Sequence, residues 1–491
     1  MSSRKGVSPA NVGLTLFFMS WRYKMAENKM GTKKISRLIW SMGLPMILSM
    51  VLQALYNVVD TMFVINMGED GTLGNLALSA AFPVQILMIA IGVGSGVGIN
   101  AMLSKNLGEG NKKIVDKIAG NGIFLIGVFY VIFLLFGLFL AKPYMRLMSD
   151  NTTVIEMGTE YLMICCCISI GSIGFAIAER FLMATGKTLF SMISQVAGAL
   201  TNIVLDYVFI YPLQMGIAGA AYATVIGQIV SFLLAMILHY TTNKEIDGNP
   251  KYIQPERRII KRIYKIGFPA FLMQGMLALM MFGVLLIIGT IDDIYTVNLL
   301  SGSYGIYYKL MQTALFAAFG LSNTLISITS YNYGMKDYGR VKETIKYGII
   351  SSLIVTAVLT IFYQVLANPI SNLFALAIEE SSIVAKSDII KMCQLALHIA
   401  TIGYIFMGFS VAIQGVLQGF NEVYSPLIIS ALRLIVLVLP IAFLFTLSSN
   451  VSTLIWWTFP IAEVITAIVS HFLLRQSIKK EFGIKIRFGV G

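Results

Sequence analysis

Residues 106–123, NLGEGNKKIVDKIAGNGI, return without a gap at 332–349 as NYGMKDYGRVKETIKYGI. Asn106 and Asn332, Gly108 and Gly334, Val115 and Val341, Gly122 and Gly348, and Ile123 and Ile349 stand at matching places, with Lys117 matched by Glu343. Gly43-Leu44-Pro45 and Gly267-Phe268-Pro269 open equivalent apolar runs, and Gly186 and Gly419 each precede another. The only long polar linker, TTNKEIDGNPKYIQPERR at 241–258, lies between the copies. The chain therefore reads as a duplication of one half.

The apolar runs decide what each half is. Of 491 residues 57% are hydrophobic and only 12% charged, far too few charges to cover a water-soluble protein. Runs long enough to cross a bilayer as helices fall at 39–66, 75–103, 118–140, 154–178, 188–211, 216–240, 263–290, 305–330, 345–368, 388–418, 423–446 and 453–475. The predicted fold is all-α and integral to the membrane, with twelve spans in two six-helix bundles related by a pseudo-two-fold axis. An even number of spans per half inserts both repeats in the same sense, so that axis runs along the membrane normal, and substrates of such proteins bind between the repeats near mid-membrane. The expected division is an N-tail at 1–38, an N-lobe at 39–240, a linker at 241–262, a C-lobe at 263–475 and a C-tail at 476–491.

The net charge of +12 reads as topology and contact with anionic lipid, not as nucleic-acid binding. Basic residues fill the N-tail, the connections holding Lys105, Lys112, Lys113 and Lys117, then Arg180 and Lys187, the linker region from Lys244 to Lys265, the stretch Lys336 to Lys346, and the C-tail. The alternate connections carry Glu69 and Asp70, Lys142 and Arg146, Asp292 and Asp293, and Glu379 and Glu380 with Lys386. That asymmetry places both termini in the cytoplasm and the protein in the cell membrane. Cys165, Cys166, Cys167 and Cys393 have no metal-ligand spacing and read as small apolar packing. No cleavage site follows the short apolar patch 12–18, so a signal peptide is not expected, and translation is expected to start near Met25.

Acids inside the spans carry the functional signal. An Asp at the centre of a lone helix costs about 2.5–3.5 kcal/mol. Asp60 follows Gln53 by seven residues and Asn57 by three; Gln195, Asn202 and Asp206 recur at seven and four; Thr224 and Gln228 are four apart. Each set shares a helical face. Carboxylate, amide and hydroxyl oxygens are hard donors that suit hard cations, and two carboxylates close together and partly desolvated are also able to carry a proton. The competing reading is a polar network that only cements helix contacts. Against it, aligning the halves puts Val284 opposite Asp60, Ile435 opposite Asn202 and Leu439 opposite Asp206, so the acids are confined to one lobe.

With these segments in hand, the chain resembles the multidrug and toxic compound extrusion (MATE) family over residues 35–480. The likeness rests on GLPMILSMVLQALYNVVDTMFV (43–64), NIVLDYVFI (202–210) and GIAGAAYATVIGQ (216–228). It implies two bundles in a V around a central cleft and a sodium- or proton-driven antiporter of organic cations. It further implies a cation site at Asp60, Asn202, Asp206 and Thr224, sodium being the possible metal, with Gln53, Asn57, Gln195 and Gln228 as supporting polar groups. Pro45 matches the proline at which the family's first helix bends. Tyr207 departs from the proline that many members have there, and the C-lobe lacks the carboxylates some members use.

Gly186-Lys187-Thr188 resembles the end of a phosphate-binding loop, but Phe181 stands where the required glycine should be. Gly92 to Gly98 offers overlapping GxxxG steps for close helix packing, or a flexible point for rocking. Glu179 and Arg180 are expected to form a surface ion pair at a helix end. Met273, Gln274 and Met276 on the seventh span suit an adaptable substrate cleft; Glu463 either meets a cationic substrate there or pairs internally with Arg433. His398 is expected to be a satisfied structural residue. Neither a catalytic motif nor a cofactor site appears. The expected function is export of small, lipophilic, often cationic compounds by a monomer in contact with membrane lipids; the alternative is a lipid-linked saccharide flippase, which should have a basic cavity.

Overall fold

The computed structural model describes residues 28–67, 71–247, 250–375 and 384–483; the expected start near Met25 lies outside them. Nearly all of the described residues are helical, and none forms a strand. The first bundle contains α1 (Ile35–Ile65), α2 (Gly71–Glu109), α3 (Lys112–Leu135, continued to Met148), α4 (Thr152–Cys167 with Ile170–Ala184), α5 (Thr188–Ile210) and α6 (Gly216–Thr242). The second contains α7 (Arg257–Ile288), α8 (Ile294–Gly334), α9 (Tyr338–Val365), α10 (Lys386–Ala400 with Tyr404–Gly419), α11 (Tyr424–Ala431 with Val438–Thr446) and α12 (Thr458–Phe482). Among the described residues eleven stretches are long and apolar enough to cross a membrane, and the two pieces of α4, bent by 44°, make a twelfth when taken as one span. Helices are the natural solution, because lipid offers no partner to an unpaired backbone group.

Several helices outrun the apolar runs that announced them. α7 starts at Arg257, and α8 covers 294–334 where hydropathy marks 305–330. A helix does not stop where lipid ends, and hydropathy detects only the part in lipid. The break in α4 at Ser169 and the π-helical segments Phe136–Leu140 and Leu432–Val436 leave no mark in an apolar run.

The duplication is visible in the turns. After α2, Gly110 (φ 77°) closes the helix with Gly110 N–H to Leu107 O and Asn111 N–H to Asn106 O; after α8, Lys336 (φ 58°) does so with Tyr333 O and Asp337 N–H with Asn332 O. Between α4 and α5 the left-handed residue is Gly186, with bonds to Met183 O and, from Lys187, to Leu182 O. Its counterpart is Asn421, bonding Gln418 O, with Glu422 on Leu417 O. This corrects the pairing of Gly186 with Gly419 by two residues: the turn needs a left-handed residue, which asparagine tolerates, and need not be glycine. In the corrected register Asn202 and Asp206 fall opposite Leu437 and Ile441, still apolar.

The bundles meet backbone to backbone. A Cβ added at Gly267 of α7 would lie 1.8 Å from Gly94 O of α2, and one at Gly98 would lie 2.1 Å from Ile263 O. The Gly92–Gly98 run therefore packs closely on two sides, Gly94 and Gly98 against α7 of the other bundle and Gly92 and Gly96 against α4 of its own. Further along, Gly108 meets Tyr331 O at 2.0 Å and Gly334 meets Lys105 O at 2.1 Å by the same measure. Asn100 Oδ1 accepts from Ser327 Oγ at 3.0 Å across this seam. Gly320 of α8 faces α1 beside Pro45, where an added Cβ would lie 2.6 Å from Met46 O.

At the end carrying the basic connections, a one-turn helix, Lys29–Thr32, ties both halves. Arg340 Nη2 donates to Met30 O and Lys33 O at 2.8 Å each, and Asn28 Nδ2 donates to Glu245 Oε2 at 2.7 Å. The polar linker is pinned as well: Asp247 N–H donates to Asp116 Oδ1 at 2.8 Å, Glu256 N–H to Asn121 Oδ1 at 2.8 Å, and Lys117 pairs with Glu256. Burial pushes the Glu245 carboxyl above its usual range despite the Asn28 donor. Glu179 and Arg180 are not the expected surface pair. Their side chains are 7% and 2% exposed and 2.8 Å apart, with Arg180 wedged against Gly96 of α2; the third helix packed over them decides this, and local sequence does not reveal it.

A methyl group at the seam must push two backbones apart, so Gly267→Ala is expected to cost about 1–3 kcal/mol and to lower the apparent melting temperature in detergent. Gly275→Ala, in the same helix but with open space around it, is expected to be neutral or slightly stabilising. Equal effects from the two would show that the seam carries no packing constraint.

Candidate functional site

The site arises from three helices of the first bundle. Helices α1, α5 and α6 pack on one another, and glycines set how closely. A Cβ on Gly198 of α5 would lie 2.4 Å from Gly227 O of α6, and one on Gly227 would lie 2.7 Å from Gly198 O and 2.9 Å from Asn202 Cβ. This contact leaves Asn202 one turn beyond Gly198 and Thr224 one turn before Gly227, on facing stretches of the two helices.

The acids come together here. The Asp60 and Asp206 side chains interact directly, and Asn202 reaches Asp206. Yet none of these contacts meets hydrogen-bond geometry: Asp60 Oδ1, both Asp206 oxygens, both polar atoms of the Asn202 amide and Thr224 Oγ1 are buried without a protein partner. Asp206 is 0% and Asn202 3% exposed. These are departures from local habit. Thr201 and Thr241 turn their hydroxyls back to the carbonyl four residues earlier at 2.8 Å, and Asn106 and Asn332 do the same with their amides. Thr224 and Asn202 forgo that bond. Among the described residues no Lys, Arg or His forms an ion pair with either acid, whereas Glu179 has Arg180 and Glu463 has Arg433.

Buried polar atoms are ordinarily paired. Six such atoms on three adjoining helices, four of them oxygens of carboxylate or hydroxyl type and one an amide carbonyl, make a donor set of the kind that suits a hard monovalent cation. The same pair of carboxylates can hold a shared proton. Among the described residues no cluster of three or more His, Cys, Asp or Glu suits a transition metal.

The supporting residues divide. Gln195 is 8% exposed on the Asn202 face of α5, while Gln53 and Gln228 are half-buried. The Asn57 side chain lies outside those described. Pro45 sits inside an unbroken α1, and α5 runs straight through Tyr207, which is 56% exposed. Residue types alone missed Tyr56, within electrostatic reach of both acids, and Tyr161, within reach of Asp60 and accepting from Gln85 Nε2 at 2.7 Å. Polar-tipped aromatics in apolar runs were the available signal. Cys165 and Cys166 are buried free thiols.

In the second bundle Glu463 Oε1 accepts from Arg433 Nη2 at 3.0 Å. The pair lines a small internal cavity of about 20 Å³ with Tyr307 and Tyr404, room for roughly one water. Met273 is buried, with Gln414 Nε2 3.4 Å from its sulfur; Gln274 and Met276 remain partly exposed. His398 bonds Gln364 Oε1 through its ring at 2.7 Å.

The MatE family model matches residues 45–208 and again 269–444. The chain belongs to the MatE family. The two matches begin at Pro45 and Pro269, the equivalent prolines of the duplicated halves. The multidrug export protein MepA of Staphylococcus saprophyticus is 24% identical over 446 residues, covering 89% of this chain and 93% of that protein. MepA of Staphylococcus haemolyticus is 26% identical over 432 residues, covering 88% and 91%. In fold, the chain superposes with a TM-score of 0.86 on the outward-facing conformation of a multidrug resistance MATE family transporter of the MOP superfamily, at 22% identity, covering 93% of this chain and 99% of that one.

Two buried carboxylates without donors destabilise the bundle when both are ionised. Asp60→Asn and Asp206→Asn are therefore each expected to raise thermal stability in sodium-free detergent near neutral pH by about 1–3 kcal/mol. Wild type should recover that difference on adding sodium or on lowering pH. Variants less stable than wild type under every condition would make the acids structural hydrogen-bonding groups.

Proposed function

We propose that this MatE-family chain is a multidrug exporter driven by a cation, sodium or a proton, moving in the opposite direction. The observation that carries this reading is that Asp60, Asn202, Asp206 and Thr224, on three helices packed together, keep six polar atoms buried and unpartnered. The staphylococcal relatives named as multidrug export proteins support the cargo class. The chain would work as a monomer in the cell membrane, with the basic end and both termini in the cytoplasm.

A bound cation supplies positive charge to the carboxylate pair. Asp60 on α1 and Asp206 on α5 then attract where they otherwise repel, drawing α1 toward α5. Pro45 offers the place for α1 to yield, since its ring removes a backbone hydrogen bond. Gly320 of α8 touches α1 at Met46, so a change in α1 reaches the other lobe directly. Differential affinity of a few kcal/mol suffices to exchange the populations of two lobe arrangements. A flippase for anionic pyrophosphate-linked lipids is disfavoured by Asp60 and Asp206, with which no Lys, Arg or His forms an ion pair among the described residues.

The test is ethidium efflux from proteoliposomes under an imposed sodium or proton gradient, one at a time. Wild type is expected to respond to at least one gradient. Asp60→Asn and Asp206→Asn are expected to insert normally, while their efflux falls to the protein-free background. Gradient-driven efflux at wild-type rates in Asp60→Asn would remove the coupling role.

A further inference from the structure

A groove of about 520 Å³ runs along the outside of the seam, with α2 as its floor and α3 and α7 as its walls. Its lining is apolar and aromatic except for Ser95 and the Tyr264 hydroxyl, which lie 3.5 Å apart. The pseudo-symmetric position is filled: α9 packs along α1 there, whereas α3 and α7 barely touch. The groove is thus a feature of one side only, and the duplication does not require it.

Its α7 wall is a single stripe. Ile260, Tyr264, Phe268 and Phe271 line it, and their spacing of four, four and three keeps them on one helical face. From Ile260 to Phe271 the helix rises about 16 Å, close to the roughly 15 Å of half a bilayer core. The groove therefore has the depth of one leaflet. The same stripe continues toward the helix start as Arg257, three residues before Ile260, and Lys261, three before Tyr264. Both are exposed, and among the described residues no ion pair involves Arg257, Arg258, Lys261, Arg262 or Lys265. The linker holds these charges at the rim, because Glu256, Gln254 and Lys117 bind it to α3 through Asn121 and the Lys117–Glu256 pair.

We infer that this groove is a binding site for one anionic phospholipid, with an acyl chain lying between α3 and α7 and the phosphate on Arg257 and Lys261. An apolar trough one leaflet deep, ending in unpaired cations, complements that molecule at both ends. Basic pockets between transmembrane helices on the cytoplasmic side recognise such headgroups, and the site's leaflet rests on the orientation proposed above, although the binding test does not. Because the acyl chain bridges α3 of one lobe and α7 of the other, the lipid favours the lobe arrangement in which α2 and α7 touch.

Full-length protein in mild detergent would be titrated with dioleoylphosphatidylglycerol or dioleoylphosphatidylcholine, and bound lipid counted by native mass spectrometry. The first phosphatidylglycerol is expected to bind more tightly than phosphatidylcholine. Arg257→Gln with Lys261→Gln is expected to weaken it about 30-fold. Lys33→Gln with Arg37→Gln removes the two charges at the equivalent places just before and in the first turn of α1, where α9 closes the groove, and should leave the first site unchanged. Val128→Trp fills the trough with the charges kept and is expected to weaken both lipids. Equal losses from the two charge-removal variants, equal affinity for the two lipids in wild type, or no effect of Val128→Trp would each overturn the assignment. So would displacement of the first phosphatidylglycerol by ethidium, which would make the groove a path for cargo.

Discussion

Two carboxylates held together inside a helical bundle, with no basic side chain paired to them among the described residues, are the constraint around which the first lobe is organised. Elsewhere the protein follows the ordinary rule for buried acids. Glu179 lies against Arg180, Glu463 against Arg433, and Asp116 against Lys112 at 2.8 Å. Breaking such a pair leaves a bare charge and is costly, so those acids are spent on structure. Asp60 and Asp206 are arranged to leave their charge unanswered by the protein, and Asn202 and Thr224 give up their usual backbone bonds beside them. A cluster that costs stability in isolation is understandable when something that enters and leaves completes it.

Glycine makes that cluster possible and also joins the lobes. Within the first bundle the Gly198–Gly227 contact brings α5 and α6 close enough for Asn202 and Thr224 to share a space. Between bundles the Gly94–Gly267 and Gly108–Tyr331 contacts let backbones touch. In lipid, apolar side chains gain little by leaving their surroundings, so close packing of small residues supplies much of the association between helices. A seam built from small residues has few interdigitated side chains to hold its two sides together. At the basic end the Arg340 bonds to Met30 and Lys33 add directional contacts that such a seam lacks.

What the sequence disclosed follows from how far each feature departs from a local pattern. Acids and amides in apolar runs stand out against their surroundings, and helical spacing alone placed Asn202 and Asp206 on one face and Asp60 on another helix. The repeat was legible because its turns keep their length, as the Gly110 and Lys336 pair shows. The second turn was misjudged by two residues because Asn421 does the work of Gly186, and identity of residue type was a poorer guide than the left-handed conformation both share. The burial of Arg180 was not legible at all. Its fate depends on Gly96, far away in sequence, leaving a space the width of a guanidinium stem. The bend in α4 likewise depends on packing that an unbroken apolar run conceals.

The asymmetry between the lobes extends the same logic. Val284, opposite Asp60, is 1% exposed and packs in the apolar core of the second bundle. Tyr304, Tyr307, Trp456 and Phe459 of the same core pack edge and face on one another, and the buried Glu463 of that lobe is paired with Arg433. The buried acid Glu463 of the second bundle thus has a base of its own beside it. The first is incomplete, and its α1 runs past the α8 backbone at Met46. The duplicated fold thus leaves the charge of Asp60 and Asp206 open in one lobe and closes that of Glu463 in the other, with Gly320 of α8 packed against the α1 backbone beside Pro45.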